Sequence, residues 1–237
     1  MEKNRKRILA AGVALLLAFA LWTVLVMKVD VQQVEIRPVQ VTRDISGAEP
    51  ETVSVGLAGM NTAFHKLTGE HMKIYTVTDW LGLVPILICA CFGVLGLVQL
   101  IKRKSLLKVD RDIILLGVYY ILVILAYLAF EKFKVNYRPV KIDGVKEASY
   151  PSSTTLLVLS VMPTLIFQAN RRIRNTSLRR ALVIFAVVFA AFMVIGRTVS
   201  GVHWLSDIIG GILPAAGLYL LYRASVMTPE AEGSREN

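Results

Sequence analysis

Gly196-Arg197-Thr198-Val199-Ser200-Gly201-Val202-His203-Trp204-Leu205-Ser206-Asp207 stands between two apolar runs, each long enough to cross a bilayer. An Arg, a His and an Asp at the edge of an apolar segment carry a large desolvation cost, which marks them as functional candidates. His203 and Asp207 are four residues apart, so on a helix both side chains lie on one face, one turn apart. A carboxylate so placed accepts the N–H of one imidazole nitrogen and leaves the other free as a nucleophile. Arg197 lies six residues upstream, beyond a turn at Gly201, and its guanidinium suits an anion.

Outward from this stretch, the chain is 55% hydrophobic over 237 residues, with a mean hydropathy of +0.58. That excludes an ordinary soluble domain and predicts several membrane spans. Uncharged runs occupy Ile8–Met27, Trp80–Ile101, Ile113–Phe130, Ser152–Ala169, Ala181–Gly196 and about Val202–Tyr222. The first follows a basic head and resembles a signal peptide, but it continues past Ala18-Phe19-Ala20 to Met27, a length that fits a span better. The expectation is an all-α integral membrane protein of six transmembrane helices forming one domain. Residues 1–28 make the first span, 29–79 an extracytoplasmic loop, 80–222 a five-span core and 223–237 a cytoplasmic tail.

The net charge of +10 falls in short basic clusters between the apolar runs, which reads as membrane topology rather than nucleic-acid binding. With the N-terminus in the cytoplasm, the inside segments hold 16 Lys/Arg and the outside segments 11. The bias favours both termini inside, so residues 131–151 and 197–203 share the outer face. Cys89 and Cys91 point apart on a helix and have no partner for a metal or disulfide site, so both read as core or lipid-facing residues. No metal or other cofactor is expected. Within the first loop, Val29–Val41 reads as a short extended segment. Leu57, Met60, Phe64 and Leu67 recur at helical spacing, either as an interfacial amphipathic helix or as a helix capping the bundle.

Three pieces meet on the outer face: Asn136-Tyr137-Arg138-Pro139, Tyr150-Pro151-Ser152-Ser153-Thr154, and Arg197 to Asp207. In order and spacing they resemble the type 2 phosphatidic acid phosphatase family of membrane lipid phosphatases, with its Lys-x6-Arg-Pro, Pro-Ser-Gly-His and Ser-Arg-x5-His-x3-Asp motifs. The resemblance covers roughly residues 80–222. It implies that His203 attacks phosphorus to form a phospho-histidine that water hydrolyses. Asp207 would orient His203, and Arg138 and Arg197 would hold the phosphoryl oxygens. Ser152, Ser153 and Thr154 open the fourth span, where free N–H groups and hydroxyls form an anion site.

Four positions depart from the family pattern. Gly196 replaces its Ser, and Ser153 its Gly. Thr154 stands where the family has its general-acid His. Glu131 stands in place of the first Lys, with Lys134 nearby and, on a continued helix, on the face of Arg138. His65 or His71 would have to fold over the site to supply the acid. Losing a general acid costs roughly 10²–10⁴ in rate. A phosphate leaving from a diphosphate is a weak base, with a pKa of about 6, and needs the proton least. The reading is therefore a polyprenyl diphosphate phosphatase of the undecaprenyl class in the bacterial cytoplasmic membrane, with its active site outside and lipid phosphate and membrane lipids as partners. The alternatives are a non-catalytic lipid-phosphate binder and a phosphatase or phosphotransferase acting on phosphatidate-type monoesters. A transporter fits less well, because no span carries an ionisable residue at its centre.

Overall fold

The structure, a computed structural model, describes residues 2–227. The chain runs α1 (Glu2–Lys28), β1 (Gln32–Val39), β2 (Glu51–Val55), α2 (Ala58–Thr68), α3 (Met72–Leu81), α4 (Leu83–Arg103), α5 (Arg111–Lys132), β3 (Val140–Ile142), α6 (Ser153–Arg172), α7 (Thr176–Val199) and α8 (Leu205–Val226). Among the described residues, six helices are long and apolar enough to cross a membrane, α3 and α4 counting as one. The chain is a helical, multi-pass membrane protein, as its apolar runs predict.

The second span differs from expectation in its start. Its helix begins at Met72 rather than near Trp80, and kinks at Gly82, whose N–H donates to the carbonyls of Thr78 and Asp79 at 3.1 and 3.0 Å. Lys73, Thr76, Thr78 and Asp79 dilute the hydropathy of this start without breaking the helix. At the other end of the chain, α8 continues to Val226, so the first residues expected in the tail are helical. Residues 228–237 of that tail lie outside the described residues.

α6 and α8 form the interior of the bundle. Leu156 of α6 joins Leu116, Tyr119 and Val123 of α5 and Ala215 and Tyr222 of α8 in one core cluster. Val158 and Met162 of α6 pack with Ala186, Phe189 and Met193 of α7 in another. α1 lies along α8, and the two backbones approach at Gly12 and Gly217: a Cβ on Gly217 would stand 2.8 Å from Leu16 Cδ2. Close approach of small residues substitutes for a hydrophobic driving force between helices in lipid.

The connections after α1 and after α5 contribute a small sheet to the otherwise helical fold. β1 pairs antiparallel with β2 (Gln32 opposite Val55) and parallel with β3 (Arg37 opposite Val140), giving the order β2-β1-β3. The β-branched residues of Val29–Val41 are the local cause, and they agree with the extended segment read from the sequence. The sheet buries apolar side chains on the end of the bundle where α7 meets α8. Ile36, Val53 and Val55 close over Trp204, while Val140 and Ile142 close over Val202.

The opposite end is tied by ions. Arg172 bonds Asp110 at 2.8 Å and Asp112 at 2.8 Å, Arg171 reaches Asp112 at 3.2 Å, and Arg103 reaches Asp110 at 2.7 Å. These side chains join the α4–α5 connection to the end of α6. Asp112 is buried. Removing one partner of a buried pair leaves its charges uncompensated and costs on the order of 3–5 kcal/mol. Asp112→Ala is therefore expected to lower the thermal unfolding midpoint in detergent markedly, whereas Glu2→Ala, which breaks only an exposed ion pair with Lys6, should leave it within error.

Candidate active site

The sheet's grip on Val202 and Trp204 brackets His203, so the residue between them has little freedom. The turn before it is equally constrained. Gly201 has φ +76°, and a Cβ there would stand 2.3 Å from the Gly69 carbonyl oxygen. Only glycine satisfies both the left-handed backbone and that contact. The 69–71 segment holds the turn from outside: the His71 N–H donates to the Ser200 carbonyl at 2.9 Å, and His65 Nε2 lies 3.1 Å from the Gly201 carbonyl. The His65 ring also packs on Trp204, with centroids 5.5 Å apart.

His203 Nδ1 lies 3.7 Å from Asp207 Oδ2, and both side chains are buried. The same carboxylate oxygen accepts the Trp204 N–H at 2.9 Å, which pins Asp207 within the first turn of α8. Asn136 and Ser149, from the strap after α5, face the carboxylate from the other side. On the far edge of the ring, Arg138 Nη1 stands 3.4 Å from His203 Nε2. A guanidinium has only donors, so Nε2 carries the lone pair and Nδ1 the proton, directed at Asp207. Burial, and next the positive charges of Arg138 and Arg197, hold the His203 pKa well below its ordinary value. The ring is thus a neutral base with its free nitrogen turned toward an arginine.

Arg138 also pairs with Glu147, Nε to Oε2 at 2.9 Å. Together with Glu131, Lys134, Lys146, Ser153 and His203 it lines a largely polar cavity of about 310 Å³. Lys134 reaches this cavity from beyond the end of α5, not from a continued helix face, because α5 stops at Lys132. A second cavity of about 360 Å³, mainly apolar, opens between α4, α5 and α6. Leu83, Ile86, Val123, Ile124 and Leu157 line it. The two cavities share Tyr127, Ser153 and Leu156.

The remaining candidates from the sequence take distinct places. Ser153 lies where the two cavities meet. Thr154 lines the apolar one. Ser152 is fully buried; its Oγ accepts from Thr155 Oγ1 at 3.0 Å, and its N–H donates to the Asp207 carbonyl at 3.0 Å, so it ties α6 to α8. Arg197 is buried and turned to α3: its Nη1 lies 3.4 Å from Asp79 Oδ1 and 3.5 Å from Thr78 Oγ1, and its guanidinium stacks over Tyr75 at 5.0 Å. His71 bonds the Thr68 carbonyl, and neither His71 nor His65 lines either cavity.

Sequence reasoning missed Asp79 and Glu147, the carboxylates that hold the two arginines, and Asn136 and Ser149 beside Asp207. A long-range ion pair leaves no local pattern. Asn136, two residues before Arg138 in a polar loop, was the one signal available. Among the described residues, no group of three or more His, Cys, Asp or Glu side chains comes together to hold a metal.

The sequence matches the PAP2 superfamily over residues 7–229. The fold is similar to the crystal structure of a transmembrane PAP2 type phosphatidylglycerolphosphate phosphatase from Bacillus subtilis. The TM-score is 0.61 at 15% sequence identity, over 92% of this chain and 98% of that one. No curated protein matches the chain in sequence.

The environment of His203 sets a pH expectation. A histidine with a depressed folded-state pKa stays neutral through its ordinary value of 6.5 and takes up a proton only at lower pH. In protein labelled with ¹⁵N-histidine, the His203 ring nitrogens should show no titration between pH 8 and 6.5. Arg138→Gln, which removes a neighbouring positive charge, should move the midpoint upward. A midpoint at or above 6.5 in the unsubstituted protein contradicts the assignment.

Proposed function

Because the chain belongs to the PAP2 superfamily, we propose that it hydrolyses a lipid phosphate through a phospho-histidine on His203. The observation that carries this reading is the junction of two unlike cavities beside His203. The polar one offers Arg138, Lys134, Lys146 and Ser153 to a phosphorylated head group. The apolar one offers a chain-sized groove that meets it at Tyr127, Ser153 and Leu156. A phosphate set between His203 and Arg138 has the nucleophile on one side and the charge that stabilises its oxygens on another.

In the first step the His203 Nε2 lone pair attacks phosphorus, and the bond from phosphorus to the leaving oxygen breaks. Asp207 retains the Nδ1 proton in place and stabilises the cationic ring. Water then attacks the phospho-histidine, inorganic phosphate leaves, and the ring returns to its neutral form. Arg197, behind the ring and paired with Asp79, adds positive charge and reaches the phosphoryl oxygens once Asp79 yields it. No step uses a metal.

The substrate we favour is a polyprenyl diphosphate of the undecaprenyl class. Thr154 offers no acid at the groove, and a phosphate leaving group asks least for one. The charge bias of the loops supports a bacterial cytoplasmic membrane with both termini inside and the site outside.

Phosphate release by purified protein from polyprenyl diphosphate, phosphatidate and phosphatidylglycerol phosphate tests the reading. His203→Ala should abolish release and the acid-labile phospho-enzyme while leaving the fold intact. Faster turnover of phosphatidate than of the diphosphate would move the assignment to a monoesterase. Binding with no release from any lipid would make the chain a lipid-phosphate binder.

The cavities give a separate expectation. Val123→Trp, which fills the apolar groove, should raise KM about 10-fold for a lipid diphosphate and leave turnover of a short-chain, water-soluble analogue within about twofold, since about 1.4 kcal/mol of lost chain burial is a factor of ten. Thr154→His should raise monoester hydrolysis if the missing acid limits it, by up to the roughly 10²-fold lower bound for general acid catalysis.

A further inference from the structure

The spacing of Leu57, Met60, Phe64 and Leu67 reads as an interfacial helix or a helix capping the bundle, and within the protein Leu67 is 83% exposed and Met60 is exposed too. The residue of α2 that is withdrawn from solvent altogether is polar. Asn61 has no exposed surface. Its carboxamide is fully engaged: Nδ2 donates to the Gly56 carbonyl at 2.8 Å and to Ser206 Oγ at 2.9 Å, and Oδ1 accepts the Ser206 N–H at 3.1 Å.

These bonds fall on a helix that lacks a cap of its own. α8 starts after Trp204, whose side chain has no oxygen to offer the free N–H groups of the first turn. Asp207 takes the Trp204 N–H, and Asn61, reaching across from α2, takes that of Ser206. Because Asn61 Nδ2 donates to Ser206 Oγ, the hydroxyl proton of Ser206 is free to turn elsewhere. The acceptor beside it is Asp207 Oδ1 at 3.5 Å. The Ser206 carbonyl is held as well, by Trp22 Nε1 at 3.1 Å. Ser206 is thereby fixed at its amide, its hydroxyl and its carbonyl, one residue before the carboxylate that faces His203.

We propose that Asn61 is a positioning residue for the reaction: it caps α8 from outside and, through Ser206, sets the Asp207 carboxylate against His203 Nδ1. This gives the first loop a part in the chemistry that neither its charge nor its hydropathy reveals. The proposal rests on His203 being the nucleophile. It acts through geometry, since displacing a catalytic group by about 1 Å costs as much as 10²-fold in rate. It also acts through the ring proton: Arg138 at Nε2 and Asp207 at Nδ1 select the tautomer together, and a carboxylate that drifts from Nδ1 weakens that selection.

Two readouts test it in the full-length protein in detergent. Asn61→Leu and Ser206→Ala should each lower kcat by about 10- to 100-fold, with KM for the lipid within about twofold. The double variant should be no worse than the poorer single one, and Ser206→Thr, which restores the hydroxyl, should recover most of the loss. Independently of turnover, ¹⁵N shifts of the three histidines should report a His203 ring protonated at Nδ1 in the unsubstituted protein and a mixture of tautomers in both variants. Ser206→Ala leaves the Asn61 Oδ1 bond to the Ser206 amide intact, so it serves where Asn61→Leu fails to fold. An unchanged His203 tautomer in Ser206→Ala overturns the proposal even if activity falls. If the unsubstituted protein releases no phosphate from any lipid, the hydrolase reading fails, and the tautomer measurement still decides the role of Asn61.

Discussion

The Asp207 carboxylate is buried at the first turn of a membrane-spanning helix, and much of the site end of the molecule is arranged around that fact. A buried carboxylate needs donors close by, because solvent supplies none. The Trp204 N–H is the nearest, His203 Nδ1 lies opposite, and Asn136, Ser149 and Ser206 surround the remaining surface. They and their supports come from three parts of the chain. The strap after α5, the turn before α8 and, through Asn61, the loop after α1 all converge on one side chain. The small sheet then fixes the turn by burying Val202 and Trp204 on either side of the histidine.

The two ends of the bundle treat charge differently. At the end carrying the termini, Arg103, Arg171 and Arg172 are matched by Asp110 and Asp112 in a closed cluster that ties connections together. At the site end, Arg138 and Arg197 each hold one carboxylate, Glu147 or Asp79, and the latter is 57% exposed. A partner near solvent is replaced more readily by a phosphate than a buried one, because the released carboxylate regains its hydration. On the proposed function, the second set is the one a phosphate would open.

Much of this was legible in the chain itself. The spacing of Arg197, His203 and Asp207, the six apolar runs and the Arg138-Pro139 and Pro151-Ser152 pairs pointed to the candidate site and its helices, because period and charge are local properties. What escaped notice was set by distant partners. The start of α3 at Met72 was hidden because Lys73, Thr78 and Asp79 lower the hydropathy, although helix propensity and packing against α7 carry the helix through them. α2 escaped in another way. Its apolar stripe left both an interfacial and a capping place open, and the docking of its other face through Asn61 had no periodic signature. Glu147 and Asp79 had no signature at all until the fold brought their arginines to them.

The length of the second span has its own consequence. Thirty-two residues from Met72 to Arg103 make a rod of about 48 Å at 1.5 Å per residue, while the hydrocarbon core is about 30 Å thick. Held upright, such a rod would leave roughly a third of its length outside the oil, and the break at Gly82 falls near that fraction. α4 alone is then long enough for the crossing, and α3 would extend past it into the head-group layer. In the orientation proposed above, that would set Asp79 and Arg197 near the level of the lipid phosphates.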